Sequence, residues 1–168
     1  RQAYRSFLKK DQLIHLDKTL DNFYYLGLIS LAWPDAKIVH VYRHPLDQII
    51  SAWTSRFAKG HHYSLELSDL VKVQIAYQGL MKYWKSLFGL RIYECSYEKL
   101  VLQPMIETKL LSEYCGLTWT DKMMRPQSSK RIVRTASFQQ VREPINARSI
   151  GRWKNYEKQL IPYFNQLR

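Results

Sequence analysis

The stretch Lys-Ile-Val-His-Val-Tyr-Arg-His-Pro, residues 37–45, decides the fold of this chain. Its β-branched residues Ile38, Val39 and Val41 are typical of a strand that is buried in a parallel sheet. Pro45 suits the first turn of a helix, and the apolar residues after it recur at helical spacing. The stretch therefore predicts a strand, a short turn and a helix that lays an apolar face on the sheet.

A polar site is predicted just beyond the end of this strand. Ligands in open α/β sheets bind beyond the carboxyl ends of the strands, and helix N-termini favour anions. Arg43 lies at that point, and Ser51 follows it by eight residues. Both could bind a phosphate, and the alternatives are a surface ion pair for Arg43 and a solvated hydroxyl for Ser51. Asp47, Ser51 and Ser55 are expected on the face of the helix opposite its apolar side.

The rest of the chain alternates strands with helices, which predicts an α/β fold with a parallel sheet. A short strand is expected over residues 12–16, with His15 in the core, and another over residues 90–95. Ser68 is the expected N-cap of a long helix. Helices are predicted over residues 22–33, 68–88 and 104–115, and the stretch 149–154 is expected to lead into a last helix that ends near Leu167.

Polar residues follow each predicted strand, so their side chains are expected to converge at one sheet edge. Lys18 could stabilise charge that develops on a transferring anionic group, and the alternative is an exposed lysine. Tyr97, which follows the strand over residues 90–95, is as readily explained by half-buried packing.

Composition narrows the class of protein and its partners. The 168 residues suit one domain, 1–168, and the formal net charge of +12 predicts an anionic partner: a nucleotide, an acidic peptide, a polyanion, nucleic acid or a membrane surface. Cys95 and Cys115 are expected to be buried free thiols, and no metal site or membrane span is predicted. Neither a glycine-rich phosphate loop nor a nucleic-acid-binding signature occurs.

Five motifs in order resemble the sulfotransferases that use 3′-phosphoadenosine 5′-phosphosulfate (PAPS) as sulfonate donor. They are Asp17-Lys18-Thr19, Arg43 with Ser51, the stretch from Tyr97 to Val101, the run from Arg134 to Pro144 and the stretch from Ser149 to Lys154. The bacterial enzymes fused to tetratricopeptide repeats and the tyrosylprotein sulfotransferases are the most similar branch. The resemblance implies a P-loop-nucleotide-type three-layer fold with a central parallel sheet, lacking its N-terminal strand–loop–helix.

The resemblance also implies a role for each matching residue. Lys18 and Ser137 would be catalytic, because both would stabilise charge around the sulfonate as the S–O bond breaks. The remaining residues would hold the nucleotide: Arg43, Ser51 and Arg152 at the 3′-phosphate, Tyr97 beside the adenine, and Ser137, Gln140 and Asn146 in a loop that closes over it.

Two departures from the family pattern bear on activity. The loop that binds the 5′-phosphosulfate should precede Gln12, and it is not found there. Leu20 occupies the place of the general-base histidine of cytosolic relatives, while the repeat-fused branch uses an upstream glutamate. The chain by itself is therefore predicted to be inactive, and an upstream repeat domain and a cytoplasmic location are expected.

These observations predict sulfonate transfer from PAPS to a hydroxyl acceptor, without a metal. The acceptor stays open between a tyrosine in an acidic peptide, a carbohydrate and a small metabolite. A non-catalytic module that binds 3′-phosphonucleotides or polyanions is the first alternative. A nucleic-acid-binding domain would bind with a steep salt dependence and is the second, and a nucleotide kinase is the third.

Overall fold

The structure, a computed structural model, describes residues 14–55, 61–128 and 142–167. Two strands and six helices are assigned in these ranges, connected by short 3₁₀ turns. In chain order they are α1 (Leu26–Ala32), β1 (Ile38–Tyr42), α2 (Pro45–Ser55), α3 (Leu67–Phe88), β2 (Ile92–Ser96), α4 (Tyr97–Leu102), α5 (Pro104–Cys115) and α6 (Glu157–Leu160).

The strands β1 and β2 pair in parallel, with Ile38 opposite Ile92 and Tyr42 opposite Ser96. In this register the two strands finish side by side at one edge of the sheet. The helices α2 and α3 lie in the connection between them, as expected of a parallel crossover. The residues that follow each strand are thereby brought together, as the sequence predicts.

Helices cover both faces of this sheet. On one face, Ile38 and Ile92 form an apolar cluster with Leu26 of α1 and Met81 of α3. On the other face the ring of Tyr93 lies 5.0 Å from the ring of a tyrosine of α5, measured between centroids. This layering confirms the predicted α/β class and its arrangement in three layers.

A second apolar cluster joins the C-terminal segment to the helices. Ile49 and Ile50 of α2 pack with Leu70 and Val71 of α3 and with Leu160 of α6. The C-terminal segment is not the continuous helix that was expected. Only α6 is α-helical, between the 3₁₀ turns Arg152–Tyr156 and Ile161–Gln166, because Pro162 cannot continue an α-helical hydrogen-bond ladder.

The strand predicted over residues 12–16 is wrong for its described part. Residues 14–19 have no regular structure, and His15 is exposed rather than in the core. The Asp17 carboxylate accepts hydrogen bonds from the Thr19 hydroxyl (2.9 Å) and the Asn22 amide (3.2 Å). These local bonds form a turn that competes with an extended strand.

Several predicted helix ends are confirmed and three boundaries differ. The helix predicted from residue 22 is α-helical only from Leu26, after the 3₁₀ turn Leu20–Tyr25. The helices α3 and α5 end just before Gly89 and Gly116, and α5 begins at Pro104, as expected. However, α3 begins at Leu67, so that Glu66 and not Ser68 is its N-cap. The strand β2 starts at Ile92 because a 3₁₀ turn, Gly89–Arg91, precedes it. None of the described helices is both long and apolar enough to cross a bilayer.

Candidate anion-binding site

Arg43 lies between the end of β1 and the start of α2, where the sequence predicts it. Its guanidinium carbon is 4.8 Å from the centre of the Tyr97 ring, and its Nη2 donates to the carbonyl oxygen of Ser149. The side chain is 16% exposed, and its Nε is buried without a hydrogen-bond partner among the described residues. A buried donor without a partner is costly, so this atom is suited to an anionic acceptor.

Asp47, one helical turn after Arg43, is buried rather than on the expected polar face. It is 1% exposed, and its carboxylate accepts hydrogen bonds from the backbone amides of Gly151 (2.7 Å) and Trp153 (2.9 Å). Its Oδ2 also lies 3.8 Å from Nη2 of Arg43. The apolar spacing of α2 cannot predict this burial, because the amides that offset the cost of burying the carboxylate belong to the C-terminal segment.

We call residues 149–153 the C-terminal clasp, because they close over the start of α2. Gly151 has φ of +71°, a left-handed conformation that glycine adopts without steric cost, and it turns its amide towards Asp47. The ring of Trp153 stacks on that of His44, with centroids 5.6 Å apart and planes 5° from parallel. This stacking and the hydrogen bond of its amide to Asp47 make Trp153 an anchor of the clasp.

Glu98 connects the ends of the two strands. Its carboxylate accepts hydrogen bonds from the His44 amide (2.8 Å) and from the Ser96 hydroxyl (3.0 Å). Burial alone would raise the pKa of Glu98, but these hydrogen bonds and the nearby charge of Arg43 outweigh it and lower the pKa below 4.5. The ionised carboxylate thus holds the turn between β1 and α2 in place.

Arg43 and Ser51 open onto one cavity of about 380 Å³. Its walls come from β1, from α2 and α3 and from the turn before α1, and Thr19 belongs to them. Ser51 is half-buried, as is Arg43. The structure therefore brings together the two residues predicted to bind a phosphate, and we call Arg43 with Ser51 the anion site.

A polar chain crosses the sheet face beside the same cavity. Nδ1 of His40 lies 2.7 Å from a carboxylate oxygen of Glu94, and Nε2 of His40 contacts the Tyr77 hydroxyl. Lys85 forms an ion pair with Glu94. Burial, with a smaller effect of Glu94, raises the pKa of Tyr77 to about 12, so that its hydroxyl stays protonated.

The remaining predicted site residues are not gathered around Arg43 in the described parts. Lys18 is exposed and is not among the cavity residues, although its neighbour Thr19 is. Asn146 is exposed and bonds locally, to the Pro144 carbonyl oxygen and to Arg148. Arg152 is half-buried within the clasp. Ser137 and Gln140 lie outside the described residues.

Sequence reasoning missed the side chains that organise this site. Asp47 follows Arg43 at i,i+4, a spacing that can signal an ion pair on a helix. Tyr77 lies within the predicted helix over residues 68–88, and its hydroxyl gives no separate signal in the sequence. Glu94 lies within a strand, where a carboxylate next to a buried run could have indicated a partner on the neighbouring strand, His40.

The fold and the site together define an α/β protein in which a largely buried arginine lies just beyond the carboxyl end of a parallel strand and opens onto a cavity. A family model described as "Sulfotransferase family" matches residues 2–121, which is more than half of the chain. The chain belongs to the sulfotransferase family.

A relative aligns with an even larger part of the chain than the family model does. The chain is 36% identical over 150 residues to a protein of Aquifex aeolicus (strain VF5) that carries the name "Uncharacterized protein". The aligned region covers 88% of this chain and 20% of that protein. The chain thus spans about one-fifth of the length of this relative.

Proposed function

We propose that this chain binds the nucleotide of PAPS at the anion site and contributes to sulfonate transfer from PAPS to a hydroxyl acceptor. Arg43 and Ser51 would hold the 3′-phosphate, with Arg152 adding positive charge from the clasp. PAPS supplies the activated sulfonate, and Lys18 and Ser137 would stabilise the charge that develops around it. Tyr97, Gln140 and Asn146 complete the proposed nucleotide site.

One observation carries this proposal: the Nε of Arg43 is buried and has no hydrogen-bond partner among the described residues, although other atoms of its guanidinium have contacts. The Tyr97 ring, the Ser149 carbonyl oxygen and the Asp47 carboxylate fix the guanidinium, so that little conformational entropy remains to be lost on binding. A phosphate would provide the missing acceptor, and Ser51 opens onto the same cavity. The role of Tyr97 that this contact supports is to orient Arg43, and adenine packing stays a proposal.

The acceptor and the branch of the family are also proposals. The net charge of +12 favours an acidic acceptor, such as a tyrosine in an acidic peptide, because opposite charge steers association. A carbohydrate or small metabolite is the alternative. An upstream repeat domain, as in the tetratricopeptide-fused branch, is proposed on the sequence resemblance, and so is a cytoplasmic location.

Calorimetric titration of 3′,5′-diphosphoadenosine, with 5′-AMP as comparator, tests the proposal. We expect 3′,5′-diphosphoadenosine to bind at least about tenfold more tightly than AMP, since a hydrogen-bonded charged phosphate contributes about 1.5–3 kcal/mol. Arg43→Ala should remove this preference, and Arg43→Lys should restore it only in part because lysine lacks the planar fork of donors.

Ser51→Ala and Ser55→Ala form a matched pair, because both serines lie on α2 and only Ser51 is among the cavity residues. Ser51→Ala should weaken 3′,5′-diphosphoadenosine binding by about three- to tenfold, and Ser55→Ala should leave it unchanged. Equal losses, or equal affinity for AMP, would contradict the proposed 3′-phosphate site. Salt-sensitive binding of an oligonucleotide without preference for the 3′-phosphate would instead support a nucleic-acid-binding domain.

A further inference from the structure

The polar side chains of Tyr77, His40 and Glu94, which lie beside the cavity, form an arrangement that can accept a proton. Tyr77 of α3, His40 of β1 and Glu94 of β2 are connected in that order by side-chain contacts. A carboxylate can only accept, so Nδ1 of His40 carries the proton towards Glu94, and in the neutral imidazole Nε2 then accepts from the Tyr77 hydroxyl. A carboxylate that fixes an imidazole in this tautomer is the arrangement that prepares histidine to take up a proton.

The carboxylate of Glu94 favours this direction of transfer. The His40 side chain is 10% exposed and that of Glu94 is 35% exposed, so the imidazole is shielded while its carboxylate partner still reaches water. Lys85 pairs with Glu94, and the Tyr42 ring lies 5.8 Å from the His40 ring. Glu94 is thus the group placed to stabilise an imidazolium formed at His40.

The side chains of Tyr77 and His40 lie next to the candidate anion site, where a proton acceptor would be useful. His40 and Tyr77 belong to the walls of the same cavity as Arg43 and Ser51. Leu20 occupies the place of the histidine base in cytosolic relatives, so the family resemblance assigns no proton acceptor to this chain. Tyr77 lines this cavity, and its oxygen has a lone pair left for a hydroxyl compound when its own proton is donated to His40.

We propose that Tyr77, His40 and Glu94 form a proton relay that activates the acceptor hydroxyl, a role that rests on the proposed function. The acceptor oxygen attacks sulfur with an electron pair, and the S–O bond to the 5′-phosphate breaks with its pair left on the phosphate. The hydroxyl proton passes to the Tyr77 oxygen as the Tyr77 proton passes to Nε2 of His40. Tyr77 contacts the acceptor, His40 stores the proton, and Glu94 positions His40.

Binding of 4-nitrophenol, whose anion is coloured, tests the relay without turnover. The titration is done at a pH below the pKa of free 4-nitrophenol, with 3′,5′-diphosphoadenosine present. We expect the bound phenol to ionise in the unaltered chain. His40→Gln should bind the phenol with an anion signal at least about tenfold smaller, because the amide keeps both hydrogen bonds but cannot take up a proton.

Matched tyrosine variants separate the relay from a structural network. Tyr77→Phe should also lose the anion signal, whereas Tyr83→Phe, at an exposed position of the same helix, should behave as the unaltered chain. Binding without ionisation, equal ionisation in His40→Gln, or no binding of the phenol would each overturn the relay. The affinity for 3′,5′-diphosphoadenosine, measured in the same samples, shows separately whether the proposed function holds.

Discussion

The carboxyl ends of β1 and β2 lie side by side, yet they offer different chemistry. After β2, the chain satisfies its own helix start: the Ser96 hydroxyl accepts from the Lys99 amide (3.3 Å) and donates to Glu98 (3.0 Å). After β1, the start of α2 carries Arg43, with one buried donor still without a partner among the described residues. The first end contains its own carboxylate, and the second presents a cation to the cavity.

This difference shows why equivalent places in a parallel sheet are not equivalent ligand sites. A helix N-terminus favours an anion, but at α4 the Glu98 carboxylate already lies in the first turn. At α2 the carboxylate in the first turn, Asp47, is directed to the clasp by two backbone amides. The candidate anion site therefore depends on the C-terminal clasp, which binds the Asp47 carboxylate, as much as on the strand end itself.

The largest expected effect on stability comes from removing the Asp47 carboxylate, which lies in the helix that follows β1. Asp47→Ala should lower the free energy of unfolding by about 3–5 kcal/mol, because it leaves Arg43 and two amides without their buried partner. Urea unfolding measures this loss. Asp47→Asn, which retains one acceptor oxygen, should lose less, and Asp69→Ala, a partly exposed control, no more than about 1 kcal/mol. A small effect of Asp47→Ala would mean that the clasp is held by other contacts.

A smaller effect is expected at the β2 end from removing the helix cap. Ser96→Ala should cost about 1 kcal/mol of unfolding free energy, since the Lys99 amide and Glu98 each lose a hydrogen bond to the serine hydroxyl. Ser86→Ala, at an exposed position of α3, is the matched control and should change stability by less than about 0.5 kcal/mol. Binding of 3′,5′-diphosphoadenosine should be the same in both variants. A loss of binding in Ser96→Ala would show that the two strand ends act as one site.

The smallest effect concerns the pH dependence of Glu98. Its pKa is lower in the folded chain than the ordinary 4.5, so its contribution is complete above the unfolded-state pKa and is lost as pH falls through the folded-state pKa. Glu98→Gln should therefore cost at most about 1 kcal/mol near neutral pH, because solvent screens this partly exposed carboxyl. Urea unfolding of the unaltered chain and of Glu98→Gln at decreasing pH should show that their difference in unfolding free energy disappears below the ordinary pKa of a glutamate. A difference that is unchanged in acid would exclude the carboxylate as its cause.

The sequence predicted those parts of the fold that local signals encode. Pro45 and Pro104 mark helix starts, and Gly89 follows a helix end, because proline and glycine act on the backbone within a few residues. The proximity of Arg43 and Ser51 to one cavity was predicted as well, because the strand, the turn and the helix of β1–α2 are contiguous.

Contacts between distant segments could not be predicted in the same way. The two amides that bind Asp47 lie 104 and 106 residues after it, a separation at which no periodic pattern operates. The strand expected over residues 12–16 had the right composition, but a strand forms only when a neighbour pairs with it, and residues 14–16 pair with none of the described strands.

At the far end of the sheet, the Tyr114 hydroxyl donates to the Arg91 carbonyl oxygen (2.6 Å) and accepts from the Ile38 amide (3.2 Å). One hydroxyl thus fastens the beginnings of both strands. Because side chains alternate along a strand, a slip by one residue would exchange the two faces and turn His40 away from α3. Tyr114 therefore fixes the register of the two strands. The alignment of His40 with Glu94 on one face of the sheet thus depends on a phenol hydroxyl on the other face.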